Sequence, residues 1–173
     1  MTTFTREWAM PSADTFSIKP IGEFVKRYIQ NGVSVDPFAR NGKLATITND
    51  INPNTSADYH MDAIEFLQHA FTFRGQFADV VILDMPYSPR QISECYQELG
   101  RKVTMADTQS GNLYKRVRDA VMPILKPDGI VLSFGWNTVG MGKKRGFEIV
   151  EILLCCHGGA HNDTICMAEK RIV

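Results

Sequence analysis

The feature that most constrains this chain is an unbroken apolar run, Val80-Val81-Ile82-Leu83, that stops at Asp84. A strand with one wet face alternates polar and apolar residues. One without alternation must be covered on both faces, as in a parallel sheet enclosed by helices. GIVLSFGW, residues 129–136, repeats the pattern. Between such runs lie helical periods. Ile18, Ile21, Phe24, Val25, Tyr28 and Ile29 predict a first helix over 18–30, stopped by Asn31-Gly32. Leu113, Val117, Ala120, Val121, Ile124 and Leu125 predict another over 112–125, closed by Pro127-Asp128-Gly129. Alternating strands and helices give an α/β fold, a mostly parallel twisted sheet with helices on both faces. The late apolar stretches 147–154 and 164–169 have no helix between them, so they are expected to pair as a C-terminal antiparallel hairpin around the loop CCHGGAHND.

The remaining segments are shorter. GVSVDPFARNG and ATITNDINPN each hold a brief strand, and SADYHMDAIEFLQHAF reads as a short strand ending near Asp62 and then a helical turn. Residues 90–99 are expected to be helical, capped by Ser88, with a polar loop over 100–112. At 173 residues and 44% apolar composition the chain is long enough for one core, so residues 1–173 are expected to be one domain. Cys95, Cys155, Cys156 and Cys166 lack zinc-site spacing and read as free, mostly buried thiols. No run spans a bilayer and the first residues do not form a secretory signal, so a cytoplasmic location is expected.

In an open parallel sheet, ligands bind beyond the carboxyl ends of the strands. The polar residues expected there are Asp36, Asp50, Asp62, Asp84 with Tyr87, Trp136 with Asn137, and the loop of His157 and His161. An aspartate is common where a strand gives way to a turn. Four on one rim repel one another unless they hold a polyhydroxylic or cationic ligand. Asp84-Met85-Pro86-Tyr87 can offer a carboxylate and a main-chain carbonyl to an amino group, with a flat ring to stack beside it. Gly158-Gly159 between His157 and His161 disfavours the helix that would bring their imidazoles onto one face, and no metal is expected.

These residues resemble the class I S-adenosylmethionine-dependent amino methyltransferases with an [Asp/Asn]-Pro-Pro-Tyr turn, as in small phage-type adenine-specific DNA methyltransferases. The likeness covers nearly the whole chain and implies a Rossmann-like fold with S-adenosylmethionine as methyl donor. Lys19-Pro20 matches the methionine-contacting segment. VDPFARNG matches the first cofactor motif, so Asp36, Phe38, Ala39 and Gly42 would line the methionine end. NDINP puts Asp50 where the family grips the ribose hydroxyls, and HMDAIEFL puts Asp62 where it meets the adenine amino group. DMPYS matches the catalytic turn, with Asp84, Met85, Pro86 and Tyr87 as catalytic residues, and LKPDG matches the end of the helix before the fifth strand. Two departures stand out: Arg40-Asn41 replaces a glycine and serine of the cofactor loop, and Met85 replaces the first proline of the turn.

The implied reaction is methylation of an exocyclic amino group, N6 of adenine in DNA, with an RNA base or a protein amide as alternative acceptors. A binding protein that keeps the fold without turnover, such as a phage decoy or anti-restriction factor, is the rival class. The formal net charge is zero, yet residues 88–146 hold ten Lys or Arg against five Asp or Glu. That balance suits a polyanion as well as a solvated helix face. Ser88, Arg90, Arg101, Lys102, Trp136, Asn137 and His161 are candidate substrate contacts, with 88–112 as a small recognition insertion and Lys143-Lys144-Arg145 as a second basic cluster. Nucleic acid is the expected partner, no membrane is expected, and a homodimer is allowed. If the chain is phage-encoded, its place is the host cytoplasm.

Overall fold

A computed structural model describes residues 1–86, 110–159 and 161–173. In chain order the elements are β1 (Thr3–Trp8), α1 (Lys19–Ile29), β2 (Ser34–Asp36), β3 (Ile47–Thr48), α2 (Ala63–Arg74), β4 (Ala78–Leu83), α3 (Ser110–Val121), β5 (Leu125–Gly135), β6 (Phe147–Cys156) and β7 (Thr164–Arg171). They form a seven-stranded sheet in the order β1-β6-β7-β5-β4-β2-β3. β2, β3, β4 and β5 run parallel, β7 is antiparallel to both β5 and β6, and β1 lies parallel to β6 at the edge.

The unbroken run of β4 is covered on both faces. Val81 and Leu83 pack with Ile64 and Leu67 of α2 and Val117 and Val121 of α3, while Val80 and Ile82 pack with Ile21, Phe24 and Val25 of α1. Successive strand residues point to opposite faces, so the run separates two apolar layers. α1 begins with Lys19 and Pro20 in its first turn, where proline's missing N–H costs nothing. A 3-10 turn, Thr15–Ser17, precedes it, with the Phe16 carbonyl 2.5 Å from where a Cβ on Gly22 would stand, so only glycine admits this approach.

Several local expectations are corrected. The strand read in SADYHMD reduces to a bridge between Asn49 and Tyr59, and the helical turn after it is the twelve-residue α2. Asp62 caps that helix by accepting from the Ile64 and Glu65 amides at 2.9 and 3.4 Å. Phe71 and Phe73 stay exposed on α2, which blurs its sequence periodicity. α3 starts at Ser110, inside the stretch expected as loop, and ends at Val121 rather than near 125. Pro127-Asp128-Gly129 does not close a helix but sits within β5, where the register to β4 slips between Leu125 and Ile130 and Asp128 takes a φ of 62°. Cys155 and Cys156 end β6 instead of opening the hairpin loop. β1 carries no sequence signal, because all six of its residues are exposed and leave no burial pattern to read. The helix expected over 90–99, most of the loop over 100–112 and Cys95 fall outside the described residues.

Candidate active site

β2 leads to β3 on one side and β4 to β5 on the other, so the chain reverses direction across the sheet between the neighbours β2 and β4. Such a switch point leaves a crevice beyond the carboxyl ends of the two strands. Asp36 ends β2 there and is 3% exposed, and Asp84 follows the last residue of β4. Burial pushes the Asp36 carboxyl up to about 8; the Phe38 amide, donating to its Oδ1 at 2.9 Å, opposes this, while the nearby Asp84 and Asp50 carboxylates add to it. Three of the four acids expected on the rim therefore share one electrostatic neighbourhood.

Asp50 is held from both sides. Oδ2 accepts the Arg40 amide at 2.9 Å and Oδ1 accepts the Asn52 amide at 2.8 Å. A carboxylate has about four acceptor positions, so these bonds orient it and still leave room for a ligand hydroxyl. Asp62 is engaged as the cap of α2, which fixes its orientation at the entrance to that helix. Phe38 is half-buried beside the core and Ala39 is buried, and the Ala39 amide donates to the Asn49 carbonyl at 2.9 Å.

The departures in the loop after β2 have a geometric answer. Arg40 takes the left-handed conformation that a glycine would adopt, with φ at 52°. Its guanidinium leaves the loop, Nη1 donating to the Ala13 carbonyl at 2.9 Å, and ties the segment before α1 to the loop. Gly42 closes the turn by donating to the Ala39 carbonyl at 2.7 Å, and a Cβ there would lie 2.9 Å from that oxygen. Met85, in the place of a proline, buries its side chain in the α2–α3 core, so packing anchors the turn where ring rigidity would.

Two residues that sequence reasoning passed over organise this region. Asn49 is fully buried; its amide nitrogen donates to the Pro37 and Met61 carbonyls at 3.1 and 3.0 Å and its oxygen accepts the Met61 amide at 3.0 Å. It thereby clamps the loop after β2 to the loop before α2. Its one sequence signal is a polar side chain directly after the Ile-Thr of β3. Tyr114 on α3 donates its hydroxyl to the Pro86 carbonyl, fastening the turn after β4 from below. Its signal is a lone aromatic in a helix whose other residues are aliphatic, small, polar or charged.

The other expected residues are distributed less tightly. Lys19 and Pro20 begin α1, Lys19 exposed and Pro20 half-buried. Trp136 and Asn137 follow β5 on the same carboxyl edge, Trp136 being 46% exposed, and the Asn137 side chain accepts the Val139 amide at 3.0 Å. His161 is exposed near the start of β7. His157 is instead a buried structural residue, its ring nitrogens engaged with the Ala9 carbonyl and the Thr164 hydroxyl at 2.9 Å each. Tyr87, Ser88, Arg90, Arg101 and Lys102 lie outside the described residues. Lys143-Lys144-Arg145 precedes the start of β6, at the edge opposite the acids, and Arg145 is bound to Asp119 at 2.8 Å. That cluster does not adjoin the crevice. Cys155, Cys156 and Cys166 are buried free thiols, and burial pushes Cys155 up to about 11. Among the described residues no group of three or more His, Cys, Asp or Glu could hold a metal ion, and no helix is long and apolar enough to cross a membrane.

No protein-family model and no curated protein sequence matches the chain. Solved structures do. NSun6 from Pyrococcus horikoshii, crystallised with SFG, superposes with a TM-score of 0.58 at 12% identity over 94% of this chain and 53% of its own. The 1,6-didemethyltoxoflavin-N1-methyltransferase of Burkholderia thailandensis, bound to 1,6-didemethyltoxoflavin and S-adenosylhomocysteine, gives 0.57 at 10% identity over 93% and 80%. A provisionally assigned methylase of Haemophilus influenzae gives 0.52 at 12% identity over 95% and 92%. The chain thus spans about half of the first of these and most of the other two. At these identities the likeness establishes the fold: a Rossmann-like class I methyltransferase fold closed by a C-terminal antiparallel hairpin.

Proposed function

We propose that this protein is an S-adenosylmethionine-dependent methyltransferase acting on an exocyclic amino group, N6 of adenine in DNA. The observation that carries the reading is the meeting of Asp36, Asp50 and Asp84 at the switch point of a methyltransferase fold, with the Asp84-Met85-Pro86 turn leaving β4 beside the buried Asp36. Crowded carboxylates suit a ligand that brings hydroxyl donors and positive charge. S-adenosylmethionine fits this donor set through its ribose hydroxyls, ammonium and sulfonium, and when bound it supplies an electrophilic methyl group.

The chain's own residues divide the remaining work. Asp50, oriented by the Arg40 and Asn52 amides, would take the ribose hydroxyls, and Asp36 with the loop Phe38–Gly42 would face the methionine end. Asp62 at the start of α2 would meet the adenine ring. Asp84 and the main chain of Met85 and Pro86 would accept the hydrogens of the target amino group, which localises its lone pair on nitrogen. The Pro86 carbonyl already accepts from Tyr114, so its direction is set before substrate arrives. Tyr87 would stack on the base. A duplex base must be flipped out to reach this depth, at a cost of a few kcal/mol.

The test is transfer of tritiated methyl from S-adenosylmethionine to DNA, RNA and protein acceptors, with Asp84→Ala as control. Label in DNA as N6-methyladenine, abolished in Asp84→Ala, is expected. Label confined to RNA or protein overturns the acceptor, and no label in any acceptor overturns the activity.

A further inference from the structure

β7 carries a buried acid that the site described above does not use. Glu169 is 1% exposed, in a strand whose neighbouring inner residues are Cys166, Met167 and Ala168. A carboxylate out of water is tolerated only where donors replace the water. Here the donors are main-chain amides of the segment after β5: Met141 donates to Oε2 at 2.6 Å and Gly142 to Oε1 at 2.9 Å. The half-buried Arg118 guanidinium of α3 lies within charge range of the same carboxylate. Gly140 completes the fit. Its φ is 44°, and a Cβ there would stand 2.1 Å from Glu169 Oε2 and 2.3 Å from the Met167 methyl, so no other residue passes this close. The carboxylate cannot swing aside to make room without giving up both amides.

β5 ends on the carboxyl edge of the sheet and β6, which runs the same way, begins on the opposite edge, so residues 136–146 cross a face of the sheet. Such crossovers ordinarily carry a helix, whose backbone satisfies itself. This one lies wholly among the described residues and holds the 3-10 turn Lys143–Arg145 but no α-helix. Met141 is buried in the α2–α3 core, which identifies the face that is crossed, and β7 is the strand beneath, between β5 and β6. Glu169 thus supplies from the sheet the acceptors that a helix would have supplied from within. A buried charge is a poor source of stability, but two directed acceptors fix one backbone path.

That path begins at Trp136. Leu83 of β4 lies beside Ser133 of β5, and the parallel register carried forward sets Pro86 beside Trp136. Gly135 is held by the ladder to Ile165 of β7, the Asn137 side chain turns the chain by accepting the Val139 amide at 3.0 Å, and Glu169 takes hold at Met141. The span that carries Trp136 is therefore pinned at both ends and folded tightly between them. We propose that Glu169 is a positioning residue for the acceptor: it holds the crossover after β5 so that the Trp136 indole walls the acceptor base at the turn after β4. The placement rests on the function proposed above, which brings the acceptor to the Asp84-Met85-Pro86 turn, and adds a flat face on the β5 side of that turn. An indole takes any base by its face, so Trp136 helps to hold an adenine without telling it from other bases.

Trp8→Phe leaves Trp136 as the single tryptophan of the chain, so its fluorescence reads the wall directly. Two substitutions in that background break the clamp from opposite sides. Glu169→Gln keeps the volume but offers one acceptor oxygen to two amides, and Gly140→Ala puts a Cβ where the carboxylate stands. Nanosecond anisotropy is expected to show the fast motion of Trp136 increased about twofold in both. An adenine-containing single-stranded oligodeoxynucleotide, titrated with S-adenosylhomocysteine present, is expected to quench Trp136 and to bind each variant about tenfold more weakly, with S-adenosylhomocysteine affinity within about twofold. An acid of purely structural use would lower the melting temperature and move neither reading. Unchanged anisotropy, or unchanged oligonucleotide affinity, in a variant that melts cooperatively overturns the proposal. So does a Trp8→Phe parent that binds S-adenosylhomocysteine but whose Trp136 is not quenched by the oligonucleotide. Failure of the function itself shows differently, since the Trp8→Phe parent then binds no S-adenosylhomocysteine. Should Glu169→Gln not fold, Gly140→Ala decides alone, because it keeps the carboxylate.

Discussion

At the scale of single residues, burial of Asp36 couples the fold to pH. Its carboxyl is raised from an ordinary 3.8 to about 8 chiefly by burial. Between those values the folded chain holds a proton that the unfolded chain releases, so stability is greatest toward the acid end of the window and falls as pH rises through about 8. Asp36→Asn, which keeps the shape and cannot ionise, is expected to flatten that decline in urea denaturation series across the same window. A cationic ligand favours the ionised form. S-adenosylmethionine should therefore release a proton on binding below pH 8, and S-adenosylhomocysteine, lacking the sulfonium, should release less. Calorimetry in buffers of different ionisation enthalpy reads both. Arg40 offers a cleaner backbone experiment. At a φ of 52° a Cβ is strained, so Arg40→Gly is expected to be more stable than Arg40→Ala by about 1 kcal/mol in urea unfolding, although both lose the bond to Ala13.

Among elements, legibility tracked burial. β4 and β5 could be read because an apolar run covered on two faces has no alternation, and α1 because Ile21, Phe24 and Val25 repeat at helical spacing against that run. β1 could not, since a fully exposed edge strand carries no hydrophobic period. The end of α3 is hidden in the sequence because Ile124 and Leu125 continue the apolar count while their backbone has already turned toward β5. The candidate site shows the same division. Aspartates directly after strands were visible, but the clamp by Asn49 and the bond from Tyr114 to the turn depend on tertiary neighbours that spacing does not reveal. Tyr114→Phe tests that bond. Removing one hydroxyl should lower kcat about tenfold through misplacement of the turn while leaving S-adenosylmethionine affinity within about twofold. Equal losses in both would assign Tyr114 to general stability instead.

For the whole molecule, topology is what turns separate strand ends into a site. Asp36, Asp50 and Asp84 are spread over 49 residues of sequence, and a parallel β3-β2-β4 arrangement carries them to one edge. The same topology sends Lys143-Lys144-Arg145 to the opposite edge, a separation that charge counting along the chain could not show. The central claim is that this acidic crevice binds S-adenosylmethionine, and calorimetric titration with it and with S-adenosylhomocysteine tests that claim most directly. Micromolar binding of both, lost in an Asp50→Ala variant that still melts cooperatively, is the expected result. No heat of binding from folded, monodisperse protein, or unchanged affinity in Asp50→Ala, would contradict it.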